Sequence, residues 1–111
     1  MPRIGRKVDT CPYNAATQTL KILGGRWKVV VVQLLLEHGA LRYSEIRDRI
    51  PDVTEKMLTV VLADLTADGL IYREEHKSKA PKIVFYALSD LGRKSKDLIS
   101  QMVWFGSHFN V

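Results

Sequence analysis

A mainly α chain with one small β-hairpin is predicted by three stretches of this sequence. Residues 54–70, TEKMLTVVLADLTADGL, place Leu58, Val61, Leu62 and Leu65 on one side at helical spacing, with Gly69 to end the helix. Residues 43–50 form a shorter helical pattern that Pro51 stops, so a short helix, a tight turn and a longer helix follow one another. After Gly69 the period changes. Residues 70–75 and 83–88 are strand-like runs around the polar linker HKSKAPK, which predicts a hairpin with a basic tip. Together these make a helix-turn-helix followed by a β wing, within a single domain spanning residues 1–111.

The elements follow in order. Residues 1–10 form a basic arm carrying Arg3, Arg6 and Lys7. A first helix starts at Pro12, a residue tolerated in the first turn, and repeats Ala16, Leu20 and Leu23 until Gly24 and Gly25 stop it. A second runs from about Arg26 to Glu37. Trp27, Val30, Val31, Leu34 and Leu35 share one face, and Val29, Val32 and Leu36 extend it almost all round, which predicts burial. Its β-branched run also permits a strand, but its length and the bounding Gly25 and Gly39 favour helix. Residues 40–42 are a connector or one short strand. The third helix has Ser44 as its candidate cap and Ile46 and Ile50 facing inward. Thr54 caps the fourth, with Glu55 where the helix dipole favours a negative charge. Ser89 caps a final helix of ~15 to 20 residues, about 25 Å long, running through Leu91, Leu98, Met102 and Phe105.

Composition narrows the function. Of the 111 residues, 46% are hydrophobic and 26% charged, the balance of a soluble globular domain. Seventeen Lys and Arg against twelve Asp and Glu give a net charge of +5, which suits a polyanionic partner. The apolar run from Val29 to Leu36 is interrupted by Gln33 and closed by Glu37 and His38, well short of the ~20 residues of a membrane span. The opening residues carry no apolar segment of a secretory signal, so the expected location is cytoplasmic. The single cysteine, Cys11, excludes an internal disulfide and a multi-cysteine zinc site. His38, His76 and His108 are scattered, which argues against a metal centre. There is no glycine-rich phosphate loop, nucleophile elbow or paired carboxylate constellation, so neither catalysis nor a cofactor is expected.

The outward face of the 54–70 helix carries the functional expectation. Lys56 can meet a phosphate or a guanine edge, and Thr59 and Val60 can meet base edges or a thymine methyl. The plain alternative is a solvated face that also holds Asp64 and Asp68. The N-terminal turns, which enter a major groove in such motifs, carry Lys56 and Thr59, and this favours DNA contact. Glu55 either accepts from a cytosine amine or supports the helix start. Lys77, Lys79 and Lys82, with Arg73 and His76 nearby, are candidate phosphate contacts, although charged hairpin tips also serve to block edge-to-edge pairing. Arg42 and Arg47 are further candidate phosphate anchors, and Tyr43 either donates to a phosphate or packs. Cys11, at a helix start near basic residues, is either a reactive thiol open to oxidants and electrophiles or an inert packed residue. Met102, Val103, Trp104, Phe105 and Phe109 crowd the C-terminal region densely enough to predict a buried contact with a second copy.

These residues also carry a family likeness. Cys11-Pro12, Leu23-Gly24-Gly25-Arg26-Trp27, Leu41-Arg42-Tyr43-Ser44-Glu45-Ile46, Thr54-Glu55-Lys56-Met57-Leu58-Thr59, Leu65 with Asp68-Gly69-Leu70-Ile71, Pro81 with Tyr86-Ala87-Leu88-Ser89, then Gly92 and Trp104 resemble, in order and spacing, the HxlR family of winged helix-turn-helix transcriptional regulators. Ser89 stands where many relatives place Thr, a change that keeps the capping hydroxyl. The resemblance implies a homodimer on double-stranded DNA with N- and C-terminal dimerisation helices, which assigns Leu20 and Leu98 to the interface alongside Met102, Trp104, Phe105 and Phe109. It also implies one recognition helix per major groove, a wing along the neighbouring backbone, and in some members a response to electrophiles or oxidants through the cysteine matching Cys11. The expected function is a sequence-specific regulator on a pseudo-palindromic operator. The alternative is a winged-helix module that docks a protein partner without DNA.

Overall fold

The structure is a computed structural model and describes residues 11–76 and 82–109. Its elements are α1 (Pro12–Leu23), α2 (Lys28–His38), β1 (Leu41–Arg42), α3 (Tyr43–Arg49), α4 (Glu55–Ala67), β2 (Ile71–His76), β3 (Ile83–Leu88), α5 (Asp90–Arg93) and α6 (Lys96–Gly106). The sheet order is β1-β3-β2 with both pairs antiparallel, so the expected hairpin is two strands of a three-stranded sheet. The connector at residues 40–42 supplies the third. Leu41 pairs with Tyr86 and Arg42 with Phe85.

One core joins these elements. Val31, Val32 and Leu35 of α2 meet Ile46 of α3, Leu58, Leu62 and Leu65 of α4, Ile71 of β2, Leu88 of β3 and Ile99 of α6. Helix α2 is the centre of this packing, as its nearly continuous apolar surface predicts, although it begins at Lys28 and not at Arg26. Among the described residues no helix is long and apolar enough to cross a membrane.

Helix α4 is fixed at both ends by its own sequence. At its start the Thr54 hydroxyl accepts from the Met57 amide at 3.1 Å, satisfying one of the first-turn donors that have no partner inside the helix. At its end Gly69 adopts φ 80°, and the Leu70 and Gly69 amides donate back to the Leu65 and Thr66 carbonyls, both at 3.0 Å. That paired closure needs a left-handed residue, which glycine adopts without a Cβ clash. Leu65 and Leu70, both buried, are brought together by the same turn and lead the chain into β2.

Two expected caps differ. Ser44 lies inside the first turn of α3; the cap interaction there is made by the Glu45 carboxylate, which accepts from the Arg42 amide at 2.8 Å. Ser89 does cap the last helical segment, accepting from the Gly92 amide at 3.0 Å, but that segment is two helices and not one. The Lys94 and Ser95 amides donate to Leu91 and Gly92, three residues back, and this tight turn redirects the chain from α5 into α6. A Cβ on Gly92 would lie 2.1 Å from the Leu70 carbonyl oxygen, so α5 is pressed onto the end of the α4–β2 connection.

Candidate nucleic-acid interface

The short helix, turn and longer helix of the motif are α3, residues 50–54 and α4. Ile50 and Val53 are buried beneath the turn, and the Val53 amide donates to the Ile50 carbonyl at 3.2 Å, so the turn belongs to the core. This rigid base fixes the direction in which the first turns of α4 project.

Those turns gather Tyr43, Arg47, Glu55 and Thr59. The Arg47 guanidinium donates to the Glu55 carboxylate at 3.0 Å and lies 3.6 Å from Asp48. The Glu55 carbonyl oxygen accepts from the Thr59 hydroxyl at 2.9 Å and from the Tyr43 hydroxyl at 3.3 Å. The Tyr43 hydroxyl thus donates to the backbone of α4, and the side chain packs against the core. The Glu55 carboxylate is engaged by Arg47.

Thr54, Lys56, Thr59, Val60, Ala63 and Ala67 are exposed, while Leu58, Val61, Leu62 and Leu65 face inward. Asp68, expected on the solvated side, is buried, and Asp64 lies 3.9 Å from the Lys28 amine on α2. The sequence reading did not single out Met57, which is 44% exposed beside this face, or Lys28, whose side chain is only 17% exposed. Helical spacing alone locates Met57 at the margin; the Lys28 contact depends on how α2 crosses α4.

In the wing, Arg73 donates to Glu75 at 2.7 Å, and this bond, with a further one to Tyr86, holds its guanidinium above the ordinary arginine range. It therefore stays cationic at every pH at which the protein is handled. His76 packs edge-on to Phe85, with ring centroids 5.1 Å apart, and its Nε2 is 3.6 Å from Glu74. Lys82 and Arg42 are exposed. Lys77 and Lys79 lie outside the described residues.

Cys11 occupies the N-cap position of α1 and is half-buried; its carbonyl accepts from the Ala15 amide at 2.9 Å. The basic residues expected near it, Arg3, Arg6 and Lys7, lie outside the described residues. Leu20, Leu98, Met102, Trp104, Phe105 and Phe109, expected at a subunit contact, are all exposed in the single chain, Trp104 at 60% and Phe105 at 62%. Leu20, Leu98 and Met102 also line an open apolar cleft of about 570 Å³ between α1, the start of α2 and α6. No group of three or more metal-ligating side chains occurs among the described residues.

Comparison with known proteins bears on this arrangement directly. A family model described as HxlR-like helix-turn-helix matches residues 22–110. The chain belongs to the HxlR-like helix-turn-helix family. It is a transcriptional regulator of winged-helix type, and the three-stranded sheet with α3 and α4 is the winged helix of that family. The uncharacterized HTH-type transcriptional regulator YtcD of Bacillus subtilis is 38% identical over 100 residues, covering 88% of this chain and 78% of YtcD. Among solved structures, the redox regulator HypR in its oxidized form superposes with a TM-score of 0.79 at 33% identity, over 91% of this chain and 99% of HypR. The reduced form of the transcriptional regulator YodB from B. subtilis gives 0.74 at 26% identity, over 91% of this chain and 95% of YodB.

Proposed function

We propose that this regulator binds a pseudo-palindromic DNA operator as a homodimer, with α4 in the major groove and the β2–β3 wing along the neighbouring backbone. The observation that supports this best is the outward face of α4. It carries Lys56 and small apolar groups where a solvent-facing helix has interspersed acids and bases, and a surface of this kind fits close against a groove. Lys56 meets a phosphate or a guanine edge, Thr54 and Thr59 flank it, and Lys82 with Lys77, Lys79 and Arg42 supplies phosphate contacts. The exposed apolar surface of α1 and α6 supports the dimer, because a patch of that size on a small domain is a place for a partner. Two-fold symmetry then sets the recognition helices about 34 Å apart, on successive major grooves.

The same reading assigns Cys11 a sensing role. Cys11 stands at the N-terminus of α1, and this place links its chemistry to the subunit contact. The likeness to the redox regulator HypR, and to YodB, solved in a reduced and a diamide-treated form, points the same way. With one cysteine per chain, oxidation by diamide joins Cys11 to the Cys11 of a second copy or to a small thiol; two thiols lose their hydrogens and diamide gains both.

Selection of bound duplexes from a random pool, with and without diamide, tests both parts. Expected is a two-fold symmetric consensus whose retention changes on oxidation, with Cys11→Ser removing the change. Salt-insensitive behaviour with no duplex retained overturns the DNA reading, and an identical diamide response in Cys11→Ser overturns the sensor reading alone.

A further inference from the structure

Each acid of this segment has a cation beside it or is buried, and none lies on the outward stripe itself. Glu55 is bonded to Arg47, Asp64 is exposed at the stripe's margin 3.9 Å from Lys28, and Asp68 is buried. What faces outward is Lys56, Val60, Ala63 and Ala67 at spacings of four, three and four, with Thr59 beside them. Val60 is 47% exposed, a poor arrangement for a surface that meets only water. Thr59 adds less polarity than its sequence letter suggests. Its hydroxyl hydrogen is turned onto the Glu55 carbonyl of its own helix, leaving the γ-methyl and the oxygen lone pairs for anything that docks. Within the stripe, Lys56 alone brings hydrogen-bond donors.

We infer that α4 reads thymine C5-methyl groups, so that each operator half-site places thymines beneath Thr59, Val60 and Ala63, next to a guanine or phosphate contact from Lys56. The inference rests on the proposed entry of α4 into the major groove and specifies what it recognises there. Of the groups displayed in that groove, the thymine methyl alone gains from apolar contact. An adenine or cytosine amine pressed against Val60 or Ala63 would lose its water and find no acceptor, which disfavours those bases at the same positions. The span fits. Lys56 to Ala63 covers about 10 Å of helix at the usual rise, or roughly three base-pair steps.

Deoxyuridine is the clean probe, since it keeps every hydrogen-bonding group of thymidine and lacks only the methyl. On an operator recovered by selection, single dT→dU replacements should weaken binding about fourfold at two or more half-site positions, the partition of one buried methyl group, with the salt dependence unchanged. Val60→Ala should abolish the sensitivity at one of these positions. Thr59→Ser, which removes the methyl, should abolish it at another, and Thr59→Val, which removes the hydroxyl, should preserve it. Tight, selective binding that no dU replacement alters overturns this inference and leaves DNA binding standing. Loss of selective binding in Thr59→Val also overturns the methyl reading at that residue, because the hydroxyl would then be the reading group. Failure to retain any duplex overturns both readings together.

Discussion

Arg47 and Glu55 face each other across the turn of the motif, with a guanidinium nitrogen 3.0 Å from a carboxylate oxygen. Both side chains are largely exposed, so the pair contributes no more than about 1 kcal/mol to folding. Its larger effect is on charge, because it neutralises a carboxylate at the end of α4 that the proposed complex brings to the DNA. Arg47→Ala should therefore weaken operator binding severalfold by leaving Glu55 unpaired, while the Arg47→Ala/Glu55→Ala double variant should recover part of the loss. Filter-binding titrations of the two single variants and the double one, at several salt concentrations, measure this coupling. Strict additivity would show that the pair has no joint role in DNA binding.

Ser89 ties three elements at one oxygen. Its hydroxyl accepts from the Gly92 amide at the start of α5 and lies 2.6 Å from the Gly69 carbonyl and 3.0 Å from that of Leu70. Ser89→Ala removes the cap and a carbonyl's partner together. The expected loss is about 1 to 2 kcal/mol, read as a lower urea midpoint at unchanged slope. Ser89→Thr, which keeps the hydroxyl, should fall well short of that.

Gly92 separates two opposing expectations for one substitution. By helix propensity alone, Gly92→Ala would stabilise α5 by up to about 1 kcal/mol. The structure predicts the opposite sign, since the new Cβ would sit 2.1 Å from the Leu70 carbonyl oxygen and 3.0 Å from a Leu88 methyl. Backbone cannot give way as a flexible side chain can, so a net loss of at least about 2 kcal/mol is expected in thermal or urea unfolding. A stabilised variant would mean that α5 does not press against the end of α4.

The division between what the sequence disclosed and what it hid follows the range of the interactions. Thr54, Gly69 and Ser89 in its capping of Gly92 act within a few residues of themselves, and each does what its residue type and position predict. The inward leucines of α4 were legible for the same reason, since one helical period places them. The third strand was legible only as one of two alternatives for residues 40–42, because Leu41 and Arg42 are too few to show alternation and become a strand by pairing with β3. The close packing of Gly92 was hidden because it meets the Leu70 carbonyl, far along the chain. At the interface, the outward residues of α4 were readable. The pairing of its acids was not, since it depends on Arg47 reaching over the turn and on Lys28 arriving from α2.

The C-terminal apolar surface can be tested without disturbing the core. Leu98, Met102 and Phe105 share one face of α6, and Phe109 extends it with its ring centroid 5.1 Å from that of Phe105. Ile99, which does pack inside, lies on another face. Because Phe105 is exposed in the single chain, Phe105→Glu should leave the fold and its unfolding midpoint as a monomer nearly intact. In a dimer the same change would put a charge into each subunit's contact and forfeit roughly 1.5 to 3 kcal/mol of apolar burial per side chain. The expected outcome is a dimer at micromolar concentration for the parent chain and a monomer for the variant by sedimentation. Operator affinity should fall with the dimer, because one recognition helix then binds without its symmetry mate. A parent chain that sediments as a monomer would remove the two-fold arrangement, while a variant that remains dimeric would move the contact off this face of α6.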